Sequence, residues 1–351
     1  MTSQRRIAQL PSTGLVDARG RGLRDLRISV TDRCNFRCVY CMPKEIFGRD
    51  YQFMERSELL TFEEIELVAR AAVELGVDKL RITGGEPLLR RGIEGLIERL
   101  AAIRTPDGRK PDLALTTNGA ALPVKAAALK AAGLDRVTVS VDSLDDAKFR
   151  EMNDVGFPLD RVFAGIAAAA DAGLGPIKIN AVIKRGVNES EIVPLAERFR
   201  GTGHTLRFIE YMDVGASNGW KLDEVVPSAE IVRAIDAVHP LERIGPERPG
   251  ETAVRWKYRD GAGEIGVISS VTGAFCGTCT RARISADGQI FTCLFADHGF
   301  DLRALVRGGA DHRTIVAALA ELWAVRDDRY SEQRAELSGN RDRIEMSYIG
   351  G

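Results

Sequence analysis

The chain has six cysteines, and they fall into two triplets with none left over. Cys34, Cys38 and Cys41 are spaced C-x-x-x-C-x-x-C; Cys276 and Cys279 are spaced C-x-x-C, with thirteen residues between Cys279 and Cys293. Three thiolates are one too few to saturate a tetrahedral ion or a cubane, so each triplet implies a metal centre with one open position. A [4Fe–4S] cube with a free iron suits that count. A structural zinc is the alternative, but it normally takes four protein ligands, and at the second triplet only His298 lies near enough in sequence to complete one. Arg281 and Arg283 stand two residues apart on an expected strand just past Cys279, so they share a face. Paired guanidiniums suit a polyphosphate; a solvated surface pair is the plainer reading.

Composition narrows the setting. Among 351 residues, 49 Lys and Arg balance 50 Asp and Glu for a net charge of −1, which argues against a general nucleic-acid binder. No apolar run approaches the roughly 18 residues of a membrane span. Met1–Gly22 has no apolar signal-peptide core, so a cytoplasmic location is expected. There, thiols serve metals rather than disulfides. The four histidines (His204, His239, His298 and His312) are scattered and form no catalytic motif.

The elements that must position these residues alternate. Strands are expected at Leu26–Val30, Lys79–Thr83, Leu113–Thr117, Arg136–Val141, Ile177–Ile183 and Thr205–Ile209. Helices are expected at Phe62–Leu75, Ile93–Ile103, Leu122–Ala132, Leu144–Glu151, Arg161–Ala172 and Glu191–Arg200. Thr61 and Glu64 have the pattern of a capping box. Six strands at a spacing of about 30 residues imply parallel strands with right-handed crossovers, as a (βα)6 partial barrel or an open sheet. The rhythm changes past Val225. A helix at Ala229–Ala237 leads to strand-like runs at Val254–Tyr258 and Glu264–Ser269. A hairpin (Arg281–Ser285, Gln289–Leu294) turns at Asp287-Gly288, and helices follow at Leu302–Val306 and Thr314–Trp323. The expected division is an extension at 1–22, a barrel at 23–225 and a smaller α+β domain at 226–351. Cys34 follows the first strand, at the strand-end edge that carries active sites in parallel folds.

The run Cys34-Asn35-Phe36-Arg37-Cys38-Val39-Tyr40-Cys41 resembles the signature of the radical S-adenosylmethionine (SAM) enzymes. The resemblance implies a [4Fe–4S] cluster whose free iron chelates SAM and whose electron releases a 5′-deoxyadenosyl radical. Thr83-Gly84-Gly85-Glu86-Pro87 resembles the segment that binds the SAM ammonium group, with Gly85 at its centre. Ser140 resembles the contact to the SAM carboxylate, and Tyr40 and Met212 resemble the adenosine contacts.

Phe275-Cys276-Gly277-Thr278-Cys279-Thr280-Arg281-Ala282-Arg283 narrows this to the GTP 3′,8-cyclase family. The likeness runs on through Arg24-Asp25-Leu26-Arg27, Thr116-Thr117-Asn118-Gly119, Lys178-Ile179-Asn180, Arg207-Phe208-Ile209-Glu210 and the final Ser347-Tyr348-Ile349-Gly350-Gly351. It implies a partial TIM barrel of the radical SAM type, with a smaller C-terminal domain at its mouth carrying a second [4Fe–4S] cluster. It implies GTP contacts at Arg27, Arg81, Thr116, Lys178, Arg281, Ala282 and Arg283, and a double-glycine tail that enters the active site. The implied reaction is that of a lyase in molybdenum cofactor biosynthesis. Hydrogen leaves ribose C3′ of GTP, and C3′ attacks guanine C8. An external electron donor, a downstream cyclic pyranopterin monophosphate synthase and a monomeric or homodimeric state complete the expectation. Another radical SAM enzyme with an auxiliary cluster, or a zinc-stabilised binding protein, is the alternative.

Overall fold

A computed structural model describes residues 14–334 and 343–350. Residues 1–13 of the N-terminal extension and the last residue of the Gly-Gly terminus lie outside the described residues.

All six expected strands form: β1 (Asp25–Ser29), β2 (Lys79–Thr83), β3 (Asp112–Thr117), β4 (Arg136–Ser140), β5 (Lys178–Ile183) and β6 (Thr205–Glu210). They pair in parallel in chain order. Between them lie α1 (Phe62–Glu74), α2 (Ile93–Ala101), α3 (Leu122–Ala131), α4 (Asp146–Asn153), α5 (Leu159–Asp171) and α6 (Ile192–Phe199). The capping box of α1 is present in both directions between Thr61 and Glu64. Helix α4 starts later than its apolar pattern suggests, because Asp145 caps it by accepting from the Lys148 amide. The Leu144 amide is drawn away to Glu191.

Past α7 (Ser228–Asp236) come β7 (Leu241–Ile244), β8 (Val254–Tyr258), β9 (Glu264–Ile268), β10 (Arg281–Ile284), β11 (Gln289–Phe291) and β12 (Phe300–Asp301). The short strands β7 and β12 carry no clear alternation and were not expected from sequence. These strands join the barrel's own sheet, giving one sheet ordered β12-β11-β10-β1-β2-β3-β4-β5-β6-β9-β8-β7. Strand β10 runs parallel to β1 and β9 parallel to β6, so eight parallel strands stand side by side. Glu210, fully buried at the end of β6, ties the later chain to the barrel. It accepts from the Ser228, Val271 and Thr272 amides and from the Ser228 and Thr272 hydroxyls.

Strand alternation divides the interior into two layers. Leu26, Ile28, Leu80, Ile82, Leu113, Leu115, Val137, Val139, Ile179, Ala181, Leu206 and Phe208 are buried in one apolar core that also takes in residues of α1–α6. Asp25, Arg27, Lys79, Arg81, Thr116, Lys178, Asn180 and Arg207 point the other way and line a cavity. The last elements are α8 (Leu302–Arg307), α9 (His312–Ala324), α10 (Tyr330–Gln333) and α11 (Met346–Ile349). Helix α9 packs on α1, and α11 brings the C-terminal tail back to the barrel.

Candidate active site

The first triplet sits on the loop leaving β1, and two glycines hold that loop in place. The Gly85 and Glu86 amides donate to the Thr31 and Arg33 carbonyls, each at 2.8 Å. Gly84 has φ +147°, and a Cβ on Gly85 would collide with the Arg33 carbonyl. Only glycine lets the two loops approach this closely. Glu86 is buried and accepts from the Leu88 amide, the Thr117 hydroxyl and the Asn118 amide. Burial raises its pKa to about 7, with these bonds acting against the rise. Asn118 in turn donates to Asn35, 2.9 Å away, between the cysteines.

Burial, and secondarily Glu86, pushes the Cys34 thiol up to about 12. Burial and Cys34 do the same to Cys41, and Cys38 lies well above the ordinary value. Deprotonating three neighbouring buried thiols needs a strong local cation, and metal binding supplies one. Tyr40 donates to Asp142 at 2.6 Å, and burial raises the Asp142 carboxyl to about 6. Tyr40, Gly85, Ser140 and Met212 line the same cavity as Cys34, Cys38 and Cys41.

The second triplet lies at the opposite end of the barrel strands rather than beside the first. Cys279 comes two residues before Arg281, which registers with Asp25, the first residue of β1; Cys34 follows the last residue of that strand. The parallel pairing of β10 with β1 enforces this separation, which sequence spacing does not reveal. Burial raises the Cys279 thiol, but Arg281 and Arg326 more than offset it, so its pKa lies below the usual value. Arg281 donates to its sulfur at 3.1 Å. Cys293 accepts from the Phe295 amide at 3.4 Å, and burial and then Asp328 raise its thiol to about 12. N–H donors aimed at the sulfurs are what a thiolate-bound cluster uses. His298 does not complete a zinc site: its side chain is 90% exposed and meets Asp297. Among the described residues no three His, Cys, Asp or Glu side chains gather as a single ion requires.

Between the triplets runs a belt of cations in one cavity of about 770 Å³. Arg27 registers with Arg81 on one side and Arg283 on the other. Lys178, Arg207 and Arg281 face the same space. The Nε atoms of Arg27, Arg81 and Arg207 are buried with no hydrogen-bond partner among the described residues. Burial, followed by repulsion from Arg283, lowers Arg27 to about 9. Burial, with Arg27 and Arg81 respectively as the next cause, lowers Arg81 and Arg207 to about 9. A buried charge without a partner is costly, so the belt is arranged to receive a polyanion.

Thr116 accepts from Arg81 at 3.2 Å. Ala282 alternates to the outer face and packs in the core, so its side chain does not line the cavity with its neighbours. Lys79, Arg207 and Arg248 line it without having been singled out. For Arg207 the signal was a lone cation between apolar strand neighbours, Leu206 and Phe208; Lys79 heads β2 two residues before Arg81 and so shares its face. Arg248 arrives from the Gly245–Gly250 loop, where no periodicity marks it; it donates to Asp112 at 3.3 Å. At the tail, the Gly350 carbonyl accepts from Arg283. Its φ of +74° and the Thr83 side chain leave no room for a Cβ.

Lys178 gives the belt a pH signature. Burial, and then Arg207, lower its pKa from 10.5 to about 8. Between those values the unfolded chain binds more protons than the folded one, so stability rises with pH. Thermal melts of the ligand-free chain are therefore expected to shift upward from about pH 8 toward 10.5, and Lys178→Met should flatten that rise. An unchanged slope in the variant would show that Lys178 is not the titrating group.

Comparison with known proteins agrees with this geometry. A family model described as the Radical SAM superfamily matches residues 28–199, and one described as Molybdenum Cofactor Synthesis C matches residues 204–332. The GTP 3′,8-cyclase of Acidothermus cellulolyticus is 53% identical, over 95% of this chain and 98% of its own. That of Xanthomonas campestris pv. campestris is 50% identical over 98% and 100%, and that of Staphylococcus epidermidis 45% over 95% and 98%. The crystal structure of Streptococcus suis SuiB bound to S-adenosylmethionine shares the fold. Its TM-score is 0.57 at 16% identity, over 90% of this chain and 68% of that one. Full-length similarity, two cysteine-lined ends and a cationic cavity between them place the chain in the GTP 3′,8-cyclase family of radical SAM enzymes.

Proposed function

We propose that this cavity converts GTP to (8S)-3′,8-cyclo-7,8-dihydroguanosine 5′-triphosphate, the first step of molybdenum cofactor biosynthesis. The observation that carries the reading is a single cavity with a cysteine triplet at each end and unpaired cations between. Five residues of strand at about 3.3 Å each set the ends roughly 15 Å apart, room for SAM and a nucleotide to meet end to end. The residues present fit two [4Fe–4S] clusters, held by Cys34, Cys38 and Cys41 and by Cys276, Cys279 and Cys293. With SAM bound, the first centre would supply the 5′-deoxyadenosyl radical that takes hydrogen from ribose C3′; bonding of C3′ to guanine C8 would then be completed by one electron from the external reductant and a proton, giving the 7,8-dihydro product.

The protein's own part is binding, orientation and exclusion of water. The Gly84–Gly85 backbone and Ser140 hold the amino-acid end of SAM, while Tyr40, fixed by Asp142, and Met212 bracket its adenosine. Arg27, Arg81, Thr116, Lys178 and Arg283, joined by Arg207, bind the triphosphate, whose roughly four negative charges supply the missing partners. Arg281 keeps the nucleotide beside the second centre. Enclosure protects a carbon radical from quenching by solvent. Residues 23–225 form the radical-generating barrel and 226–351 bring the substrate centre to it.

An external reductant in the cytoplasm and handover to a cyclic pyranopterin monophosphate synthase belong to the same reading. Among the described residues no helix is long and apolar enough to cross a membrane.

Anaerobic incubation with GTP, SAM and a strong reductant is expected to yield 5′-deoxyadenosine above a GTP-free control; an equal yield in the control sinks the proposal. Arg281→Ala with Arg283→Ala should weaken GTP binding and leave SAM binding intact, whereas equal loss of both would indicate a collapsed fold. Gly85→Ala should do the reverse, weakening SAM binding about tenfold or more through the displaced loop. Titration of each ligand separately reads the difference.

A further inference from the structure

Behind the second triplet lies a buried ionic knot that the function above does not use. Asp17 and Arg21 sit on a turn closed by the Val16–Gly22 bridge, and Arg326 follows α9. Side-chain exposure is 0% for Asp17, 2% for Arg21 and 1% for Arg326. Asp17 accepts from Arg21 Nε at 2.7 Å, from the Arg21 amide at 2.8 Å and from Arg326 Nη1 at 3.0 Å. The Arg326 guanidinium lies 4.5 Å from the Trp323 ring centre, and the Trp323 indole donates to the Arg21 carbonyl at 2.9 Å.

The same two guanidiniums also reach Asp328 and the backbone at the cysteines. Arg21 Nη1 reaches the Cys276 carbonyl at 2.8 Å. Arg326 Nη1 reaches the Cys279 carbonyl at 2.9 Å, and its Nε reaches the carbonyl of Thr292, the residue before Cys293, at 3.0 Å. Two guanidiniums therefore grip the chain at all three ligands. Neither lines the cavity, so the grip comes from the side away from substrate.

Apolar packing alone would bury this surface at less cost than three charges do. Loop carbonyls with no ladder to join have one rigid alternative, a planar guanidinium whose orientation is itself fixed. We propose that Asp17, Arg21 and Arg326 are positioning residues of the second centre. They would fix the backbone that presents the three thiolates to one cluster, from the side away from the cavity. The inference rests on the second triplet holding a cluster, which Cys279→Ala tests separately.

The test uses the full chain, reconstituted anaerobically, with Asp17→Asn, Arg326→Met and Arg326→Lys. In the first two, iron of the second centre should pass to a chelator about 10–100-fold faster than in the parent. The change that GTP causes in that centre's EPR signal should also be altered. Arg326→Lys should fall between. The SAM-induced EPR change at the first centre and the far-UV circular dichroism should match the parent. Parental release rates and signals in Asp17→Asn and Arg326→Met would overturn the proposal. So would loss of both centres together, the mark of a fold-wide role. Cys279→Ala should remove the second signal and keep the first; if it removes no iron, the centre itself is disproved and the brace with it.

Discussion

Unpaired positive charge enclosed by the barrel is the constraint on which the rest of the structure depends. Arg27, Arg81, Lys178, Arg207 and Arg283 all lose water without gaining enough carboxylates. Asp25 is matched to Lys79, 2.6 Å away, and Asp112 is shared between Arg136 and Arg248. The outer face of the same strands offsets this cost. Each fully buried Leu, Ile, Val or Phe contributes about 1.5–3 kcal/mol, and all of the core-facing barrel-strand residues named above except Ala181 are of these types. A single alternation thus supplies both the stabilising layer and the reactive one. Gly266 shows how tightly the two are fitted: a Cβ there would lie 3.0 Å from both Arg207 and Ala253.

The two ends of the cavity are rigidified by different means. At the first, glycines bring two loops within hydrogen-bonding distance, and Glu86 gathers one donor from its own loop and two from the end of the next strand. At the second, side-chain cations do the work of a backbone ladder. The difference follows from topology. The first cysteine loop leaves a central strand and has a neighbour to pair with. The second precedes β10, in a stretch that returns from the far edge of the sheet. The tail joins both regions, with Glu345 accepting from the Ala216 and Ser217 amides and Tyr348 donating to Asp287. It thereby links the loop after Met212 to the hairpin carrying Arg283.

Much of this was legible in the sequence because it is local. The alternation of Lys79-Leu80-Arg81, the capping box at Thr61 and Glu64, and the cysteine spacings each depend on near neighbours, and each holds in three dimensions. What was not legible depends on long-range register. The opposite placement of the triplets follows from β10 pairing with β1, 256 positions apart at Asp25 and Arg281. The roles of Asp17 and Arg21 depend on Arg326, near the other end of the chain. Ala282 turns its side chain into the core because a strand points its middle residue away from the two flanking arginines, an alternation that a motif read as a block does not display.

The placement of β9 and β10 bears on how the protein comes into being. Strand β1 is flanked by β2 and β10, and β6 by β5 and β9. When synthesis has passed β6, both borders of the nascent six-stranded sheet still carry open rows of amides and carbonyls. Their partners lie in the last third of the chain. The half-built sheet is therefore a template for improper pairing with other chains until translation is nearly complete, a characteristic hazard of large folds. The cysteines of the first triplet are made before any strand but β1, whereas those of the second flank β10 and β11 and come only with the strands that close the first border.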